Sequence, residues 1–496
     1  KADIEGAKAL PGVVAVVRDG SFLGVIAGRE EQAVRARAHL MRTAQWIGGD
    51  DLPDRRRLYD ELVNAASRDS VVREKKAPPS GIARVFEATY SKPYTAHASI
   101  GPSCALAQFA ENKLMVWTHS QGVFPLRRDL AGALKMNMAA IRCIHVEGSG
   151  CYGHNGADDV ALDAALLARA VPGRPVRVQW MRDDEFAWEP YGPAMVMKTK
   201  ASLAGGRIVD WSYDVWSNTH GMRPGAAGGN NLLASWYLAQ PFSPARGGGF
   251  GAARNAVPHY DFPGQHITNH FVPAAPLRVS SLRSLGAYAN IFAIESFMDE
   301  LAAAANAEPV AFRLAHLKDK RAKAVIDAAA KAAGWKQGAK GDGMSGRGIG
   351  FARYKNAASY IAVVAEVALD RASGKLRVVR AHAAVDAGQI INPDGIKNQI
   401  EGGIIQAASW TLHEQVKFDA RGIVSRDWLS YPILTMPEAP KVQTVLLDHP
   451  DLPALGVGEA SLGPAAAAIG NAFAHATGKR LRDLPFTPGR VKAALA

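Results

Sequence analysis

The sequence predicts a protein of the α+β class that is divided into several domains. Its 496 residues are enough for two to four domains, each with its own core. Strand-like and helix-like segments alternate along the chain, and Gly-Gly or Ser-Gly pairs join some neighbouring strands as hairpins. Two stretches rich in charge, Pro or Gly, at Val72–Gly81 and Gly334–Gly348, are typical of linkers. We therefore predict domains at 1–80, 81–340 and 341–496.

The first 80 residues predict a small α/β domain. Two strands, Val13–Val17 and Phe22–Ile26, precede a helix at Glu30–Trp46, which has Ala and Leu at helical spacing. The stretch Val72–Gly81 would then connect this domain to the larger part of the chain.

Residues 81–340 mix strands and helices. The segment Lys198–Trp216 predicts a hairpin that turns at Gly205-Gly206. A Gly-, Ala- and Pro-rich stretch at 221–257 predicts a long loop, and such loops are usually functional or mobile. The other elements predicted here are strands at Ala83–Tyr90, Leu114–Thr118, Ile141–Val146 and Val176–Met181, and helices at Leu126–Met136, Tyr288–Ala305 and Ala322–Gly334.

The last domain begins with a second predicted hairpin. Its strands are Tyr360–Leu369 and Lys375–His382, which turn at Ser373-Gly374. A helix at Lys397–Gln415 follows. The segment Leu455–Phe473 then predicts a glycine-rich loop and an alanine-rich helix.

The composition narrows the class of protein. Hydrophobic residues make up 48% and charged residues 21% of the chain, and no apolar run is long enough to span a membrane. The net charge of +12 is spread along the chain without a basic helix interleaved with aromatics, which argues against nucleic-acid binding. Because Cys104, Cys143 and Cys151 form no CxxC pair, a zinc site, an iron–sulfur cluster and a disulfide framework are all disfavoured. The compartment stays undecided.

A glycine-rich loop at Gly148–Gly153 lies between a predicted strand and a predicted helix. Its sequence, GSGCYG, fits G-x-G-x-x-G, and Asp183 ends the next strand about thirty residues on, as in a dinucleotide-binding fingerprint. However, Asp158 and Asp159 near the helix start would repel a pyrophosphate. A nicotinamide-dependent dehydrogenase therefore stays an alternative, and a loop that faces a phosphate- or pterin-bearing cofactor is favoured.

Three polar residues occupy positions typical of a cleft. Gln121 follows a strand, Arg283 precedes a helix whose dipole opposes its charge, and Glu459 lies on a glycine-rich loop beside a helix. Each also has a structural explanation, as a turn residue, a member of a buried ion pair, and a solvated acid or cap, respectively. A second glycine stretch, Gly247–Gly251, predicts a flexible loop. Three histidines without metal-ligand spacing are predicted to be structural: His119, His145 and His154.

Taken together, these segments resemble the large molybdenum subunit of the xanthine oxidase family. VWTHSQG contains Gln121, SLRSLGAYANIFAIESFMDELA contains Arg283, and GVGEAS contains Glu459. GSGCYG matches the family's glycine loop but departs from it at Cys151 and Tyr152, and DAGQIINPDGIKNQIEGGIIQ is a characteristic family segment. The order of the motifs is that of the family. Within the family the chain resembles a permuted branch that includes nicotinate dehydrogenases, isoquinoline oxidoreductases and membrane-associated aldehyde dehydrogenases.

The resemblance implies a fold and roles for individual residues. The fold would be that of an aldehyde/xanthine oxidoreductase subunit, with a partial hammerhead-like domain before two molybdopterin-binding domains. Glu459 would be the catalytic base, Arg283 would stabilise negative charge on the substrate, and Gln121 would hydrogen-bond an oxygen ligand of the molybdenum. No side chain would ligate the metal, which the pterin dithiolene holds. The implied cofactor-binding residues are Gly150, Cys151, Tyr152, Gly153, Leu285, Gly286 and Gly458.

The resemblance also implies a reaction and partners. The reaction would be hydroxylation of an electrophilic carbon with water-derived oxygen, at a molybdenum–molybdopterin cofactor in its cytosine dinucleotide form. Two electrons would pass to a small subunit with [2Fe–2S] clusters, with a c-type cytochrome carrying haem c as a further candidate partner. The family's MGQG-type loop, which also holds the cofactor, is absent from this sequence. We expect it on an upstream segment or a separate chain.

The substrate is the most open part of the prediction. The HNGADD continuation of the glycine loop resembles nicotinate dehydrogenases, which favours an N-heteroaromatic compound such as nicotinate. Trp188 and Tyr191 could stack on its ring, or could equally be core or rim aromatics. Oxidation of aldehydes to carboxylic acids is the close alternative, and a non-catalytic half that scaffolds a partner is an alternative of another class.

Overall fold

The chain begins with a small unit in which an antiparallel hairpin packs against helices. The structure, a computed structural model, describes residues 1–77, 84–225, 229–245 and 247–496. The predicted strands and the predicted helix of this unit are confirmed, although the helix ends at Thr43. The elements are α1 (Ile4–Lys8), β1 (Val13–Asp19), β2 (Phe22–Ala27), α2 (Glu30–Thr43) and α3 (Leu58–Asn64).

The middle of the chain forms two mixed sheets. The elements are β3 (Arg68–Lys75), β4 (Arg84–Lys92), β5 (Cys104–Ala110), β6 (Lys113–Thr118), α4 (Val123–Leu134), β7 (Ile141–His145), α5 (Ala157–Ala168), β8 (Pro175–Gln179), α6 (Arg182–Trp188), β9 (Met195–Ala204), β10 (Arg207–Ser217) and β11 (Gln265–Phe271). The strand orders are β3-β11-β10-β9-β4 and β7-β6-β5-β8. The predicted hairpin is confirmed as β9 and β10, which turn at Gly205 and Gly206, both at positive φ.

The sheet that leads into the Gly148–Gly153 loop is not the parallel sheet of a dinucleotide-binding fold. β7 precedes the loop and α5 follows it, but β8 does not pair with β7. Instead β5 lies between β6 and β8 and runs antiparallel to both. The structural context that a nucleotide-binding fingerprint requires is therefore not met.

The last part of the chain forms a third mixed sheet covered by helices. The elements are α7 (Ala287–Ala304), α8 (Pro309–Ala315), α9 (Lys320–Ala332), β12 (Ser345–Arg353), β13 (Tyr360–Asp370), β14 (Lys375–Asp386), α10 (Pro393–Leu412), β15 (Phe418–Asp419), β16 (Gly422–Ile423), β17 (Lys441–Leu447), α11 (Leu462–Thr477) and α12 (Pro488–Leu495). The strand order is β12-β13-β14-β17, in which β13 and β14 confirm the second predicted hairpin. One hydrophobic core joins this sheet to the middle of the chain, through residues such as Trp211, Phe292 and Val363.

The first predicted linker is partly wrong, because β3 extends through Lys75. This strand pairs antiparallel with β11 at the edge of its sheet, so residues 68–75 share that sheet with the middle of the chain. All of its side chains are exposed, and several are charged. Charged residues protect an edge strand from pairing with other chains. The same charged residues gave this strand the composition of a linker. The rest of the predicted linker, from residue 78 on, lies outside the described residues.

The second predicted linker is also partly wrong, because β12 begins at Ser345. Its glycines are required by close packing against α11. A Cβ at Gly346 would lie 2.2 Å from the carbonyl oxygen of Ala472, and one at Gly348 would lie 2.4 Å from that of Ala468. Glycine therefore allows α11 to approach β12 closely. From composition alone, glycines needed for close packing cannot be told apart from glycines of a flexible linker.

Candidate active site

Glu459 lies on the loop between β17 and α11, and its carboxylate is held from two sides. Oε1 accepts a hydrogen bond from the backbone N–H of Ser284 at 2.9 Å. Oε2 accepts one from the hydroxyl of Tyr354 at 2.5 Å, and the guanidinium of Arg254 is 3.8 Å away. The Glu459 side chain nevertheless remains 31% exposed. The carboxylate is thus fixed in position and still accessible to a ligand.

The backbone that donates to Glu459 has an unusual conformation. Ser284 and Leu285 have φ values of 75° and 51°, in the left-handed region that is costly for residues other than glycine. The next residue, Gly286, begins the approach to α7, and a Cβ there would lie 2.1 Å from the carbonyl oxygen of Ala252. Strained turns of this kind cluster at functional sites, and here the strain directs the Ser284 N–H toward the carboxylate.

Arg283 is held by neutral groups. Its Nε donates to the carbonyl of Gly458 at 2.8 Å, Nη2 donates to Oε1 of Gln399 at 2.9 Å, and Nη1 donates to Oε1 of Gln406 at 3.2 Å. Among the residues that the structure describes, no carboxylate lies within ion-pair distance of it. Burial lowers the pKa of Arg283, and the nearby Glu459 opposes this effect. The guanidinium therefore has a fixed position and a charge that no neighbouring carboxylate neutralises directly.

The glycine loop is joined to the arginine loop through the backbone. The N–H of Arg283 donates to the carbonyl of Tyr152 at 2.6 Å, and the N–H of His154 donates to the carbonyl of Ser281 at 2.8 Å. Gly153 has φ of +131°, and a Cβ there would lie 2.0 Å from the Ser281 oxygen. Only glycine fits this position. The N–H groups of Gly150, Cys151 and Tyr152 have no acceptor within the described ranges of the chain.

Gln121 follows β6 and faces the same loop. Its Nε2 donates to the carbonyl of Cys151 at 3.4 Å, and its Oε1 accepts from Nη1 of Arg223 at 2.5 Å. Arg223 has no carboxylate partner in the described part of the chain. The glutamine amide is therefore oriented by a cation on one side and by the glycine loop on the other.

These loops enclose a cavity of ≈ 520 Å³, which is within the usual size range for small-molecule sites. It brings together most of the residues predicted from the sequence: Gln121, Cys151, Tyr152, Gly153, Arg283, Leu285, Gly458 and Glu459. Gly150 and Gly286 lie beside these in the chain but do not line the cavity. The charged residues in its wall are Arg223, Arg254, Arg283 and Glu459, so cations outnumber the single carboxylate.

Two predicted residues are not part of this cavity. Tyr191 is 2% exposed, its hydroxyl donates to the carbonyl of Phe186, and its ring packs in a core with Tyr94 and Phe186. Trp188 lies on α6 with 47% of its surface exposed, away from the cavity wall. A buried ring whose faces are packed cannot stack on a substrate, and Trp188 does not line the cavity, so we assign neither residue a role in binding.

Several residues of the cavity were not predicted. Phe250 and Arg254 come from the segment that includes Gly247–Gly251, which the sequence predicts to be a flexible loop. Instead the Gly251 carbonyl accepts from the N–H of Gly286 at 3.1 Å, and this segment forms a wall. The glycine-rich composition was the available signal. Gln399 also lines the cavity and lies within the segment DAGQIINPDGIKNQIEGGIIQ. Tyr354 holds Glu459 without lining the cavity, and no local pattern marks it.

Membrane spans and side-chain metal clusters are both absent from the described residues. No helix in the part of the chain that the structure describes is long and apolar enough to cross a membrane. Within the same ranges, no group of three or more His, Cys, Asp or Glu side chains could hold a metal ion. The histidines predicted to be structural include His154, which is fully buried beside Ser280 and hydrogen-bonds its hydroxyl at 2.9 Å.

Comparison with known proteins identifies two domains. Residues 73–229 and residues 279–440 each match a molybdopterin cofactor-binding domain family. Over 98% of its length the chain is 40% identical to a nicotinate dehydrogenase component from Pseudomonas putida and 29% identical to the beta chain of isoquinoline 1-oxidoreductase from Brevundimonas diminuta. These matches cover 41% and 62% of those proteins, so the chain spans about half the length of the curated relatives it matches.

Solved structures share the fold. All of this chain superimposes on 92% of quinoline 2-oxidoreductase from Pseudomonas putida 86, with a TM-score of 0.79 and 15% identity. It also superimposes on 75% of the aldehyde oxidoreductase from Desulfovibrio desulfuricans, with a TM-score of 0.78 and 15% identity. The multidomain α+β architecture predicted from the sequence is confirmed by this likeness.

Proposed function

Because the chain belongs to the xanthine oxidase family, as a molybdopterin-binding large subunit, we propose that it hydroxylates an electrophilic carbon with oxygen derived from water. The observation that carries the proposal is the meeting of Gln121, the glycine loop, Arg283 and Glu459 around one cavity. These residues lie far apart in the sequence, and each belongs to a separate motif. A base, a cation and a set of backbone donors around one space are what this reaction requires.

The residues around the cavity fit a pterin cofactor that carries phosphate. The free N–H groups of Gly150, Cys151 and Tyr152 can donate to oxygen or ring-nitrogen acceptors, and Arg223 supplies a cation beside them. When bound, the molybdenum centre would supply the oxygen that is transferred and take up two electrons. We propose that the pterin is the cytosine dinucleotide form, and that Leu285, Gly286 and Gly458 complete its surroundings.

We assign proton transfer to Glu459. Its two carboxylate oxygens each accept one hydrogen bond from the protein, and an ionised carboxylate has about four lone-pair sites, so capacity remains for a proton from the attacking oxygen. Proton removal by a positioned base typically contributes about 10²–10⁴-fold to a rate. Its anchoring by Ser284 and Tyr354 sets the direction from which the proton arrives.

Arg283 would stabilise charge on the substrate, and Gln121 would orient the cofactor. Negative charge develops on a ring nitrogen or carbonyl oxygen when the neighbouring carbon is attacked. Arg283 can stabilise it because, among the described residues, no carboxylate neutralises its guanidinium directly. The Gln121 amide, fixed between Arg223 and Cys151, would donate to an oxygen of the cofactor.

We propose an N-heteroaromatic substrate that carries a carboxylate, such as nicotinate. The excess of arginines over carboxylates in the cavity wall favours an anionic substrate over a neutral aldehyde. The 40% identity to a protein named for nicotinate dehydrogenation supports the same class. Aldehyde oxidation by the same chemistry is the second candidate, supported by 24% identity over 82% of the chain to a membrane-bound aldehyde dehydrogenase of Gluconacetobacter polyoxogenes.

We further propose that the chain works within a heteromer. Two of the relatives are named as subunits, which supports this. A small [2Fe–2S] partner would accept the electrons, a c-type cytochrome with haem c could follow it, and the missing MGQG-type loop would come from an upstream segment or another chain. The domain boundaries at 1–80, 81–340 and 341–496 belong to the same proposal, with residues 68–75 moved to the second domain by the pairing of β3.

The test is to purify the assembled enzyme and assay it with nicotinate, uncharged N-heterocycles and aldehydes. We expect about one molybdenum per large subunit and the highest kcat/KM with an anionic heterocycle. The product oxygen should come from ¹⁸O-labelled water. Molybdenum-free protein that binds NAD would refute the proposal, and protein that carries molybdenum but turns over none of these compounds would support a scaffold.

A further inference from the structure

We propose that Tyr354, held by Arg254, is a positioning residue that fixes the direction of the Glu459 carboxylate. The inference rests on the proposed role of Glu459 as the base. We call Tyr354, Glu459 and Arg254 the cavity cluster. The Tyr354 hydroxyl is 2.5 Å from Glu459 Oε2 and 3.1 Å from Nη1 of Arg254.

The direction of the proton in this cluster follows from the donor inventory. A phenol has one O–H and can accept as well as donate, whereas a guanidinium can only donate. Arg254 therefore donates to the Tyr354 oxygen, which leaves the phenol proton to point at Glu459. Burial and the neighbouring Glu459 raise the pKa of Tyr354, so this proton stays on the phenol. A hydrogen bond donated to a carboxylate favours its charged form.

The backbone of Tyr354 is fixed by the same loop that supplies Arg254. Tyr354 directly follows β12, and the two residues after it, Lys355 and Asn356, have left-handed φ values of 56° and 55°. The side chain of Asn255 holds this turn, since its Oδ1 accepts from the Lys355 N–H and its Nδ2 donates to the Arg353 carbonyl. The phenol thus has little freedom to leave Glu459.

Other charged groups face the cluster. Arg283 lies near enough to interact with both Glu459 and Tyr354, and the Lys355 ammonium is 5.4 Å from the centre of the Tyr354 ring. Tyr152 is the other titratable group near Arg283. No carboxylate other than Glu459 lies within ion-pair distance of Arg254 among the described residues. Among these groups Tyr354 is the one that donates a directed hydrogen bond to Glu459 Oε2.

The experiment compares Tyr354→Phe with the wild type in the assembled enzyme. Phe keeps the ring and loses only the hydroxyl. Without this donor the Glu459 carboxylate is less restricted in its orientation, so kcat should fall by about 10-fold with little change in KM. The matched control is Tyr90→Phe. Tyr90 also donates to a carboxylate, Glu300 at 2.7 Å, but lies outside the cavity, and its variant should change neither constant.

A second measurement does not depend on turnover. The carboxylate stretching bands of Glu459 can be isolated by infrared difference spectroscopy against Glu459→Gln. Loss of the hydrogen bond from the Tyr354 hydroxyl should shift these bands in Tyr354→Phe. Unshifted bands together with an unchanged kcat would overturn the inference about Tyr354. Shifted bands in an enzyme that hydroxylates nothing would support the inference and refute the proposed function.

Discussion

Two clusters of Tyr, Glu and Arg use the same side chains in different surroundings. The cavity cluster is centred on Glu459, whose side chain is 31% exposed. The core cluster, which consists of Tyr260, Glu295 and Arg313, lies inside the protein, with Glu295 and Arg313 at most 1% exposed. In both, a tyrosine hydroxyl donates to one carboxylate oxygen.

The two clusters differ in the donors to the second carboxylate oxygen and in the distance from the arginine to the carboxylate. In the core cluster Arg313 donates to Glu295 Oε2 at 2.8 Å, and the N–H of Phe351 donates to the same oxygen at 3.0 Å. In the cavity cluster Arg254 stays 3.8 Å from the carboxylate, and only the Ser284 N–H reaches the other oxygen within the described part of the chain. Glu295, with three donors and no exposure to a ligand, supports structure, whereas Glu459, with two donors and an accessible carboxylate, can accept a proton.

The largest effect we predict is for Glu459→Gln. The amide keeps the shape of the side chain but cannot take a proton, so turnover should fall by about 10³-fold or more. Molybdenum content and the free energy of unfolding should stay near the wild-type values, since the side chain is partly exposed. Steady-state kinetics, metal analysis and urea unfolding measure these three quantities. Retained turnover would show that another group is the base.

The corresponding change in the core cluster, Glu295→Gln, should lower the free energy of unfolding and leave turnover unchanged. It leaves the charge of Arg313 buried without its closest carboxylate, which costs about 3–5 kcal/mol of the free energy of unfolding. The shift of the urea midpoint measures this cost. Protein that remains folded should turn over at the wild-type rate. A loss below about 1 kcal/mol would mean that Asp299, 3.5 Å from Arg313, compensates.

Arg283→Lys tests whether Arg283 acts through the fixed position of its guanidinium or through its charge alone. A lysine keeps the charge but cannot donate to Gly458, Gln399 and Gln406 at once, so its charge is no longer fixed. We expect kcat to fall by about 10²-fold with a smaller change in KM, as when a donor to a developing charge is removed. Arg347→Lys, at an exposed ion pair with Glu366, is the control and should change neither constant. A rise in KM of similar size with kcat unchanged would indicate that Arg283 contributes only to substrate binding.

The same comparison explains which parts of the site could be predicted from the sequence. Gln121, Arg283 and Glu459 each lie in a short contiguous motif, but each alone also had a structural explanation. The set of motifs and their order along the chain singled these residues out. Tyr354 is 105 residues from Glu459 along the chain and has no motif of its own. Its role depends on the position of β12 beside the loop that carries Arg254, which only tertiary packing determines.

The fold was predictable to a similar extent and for similar reasons. Hairpins at Gly205-Gly206 and at Ser373-Gly374 were predicted because the turn residues have a local conformational cause. The strands β3 and β12 were mistaken for linkers, because an exposed charged edge and a glycine stripe beneath α11 have the composition of linkers. Sequence composition does not reveal which partner a segment packs against.

Another tyrosine–carboxylate pair, Tyr431 and Glu414, has no arginine partner among the described residues. It extends the comparison because its contribution to stability depends on pH. Burial raises the pKa of Glu414 from 4.5 to about 8. Because the folded protein then binds this proton more tightly than the unfolded chain, its contribution to stability is full below about pH 4.5 and is lost as the pH rises to about 8. The slope should be about 1 kcal/mol per pH unit within that window.

The variant Glu414→Gln should remove this contribution, so the difference in unfolding free energy between wild type and variant should change steadily from about pH 5 to about pH 8. Urea unfolding at several pH values in this range measures it, with the exposed Glu87→Gln as the control that leaves the slope unchanged. A difference that is constant with pH would mean that Glu414 is ionised in the folded protein. The hydroxyl of Tyr431, at 2.9 Å, and the side chain of Ser409 would then hold a buried carboxylate in its charged form without an arginine, unlike Glu295 beside Arg313.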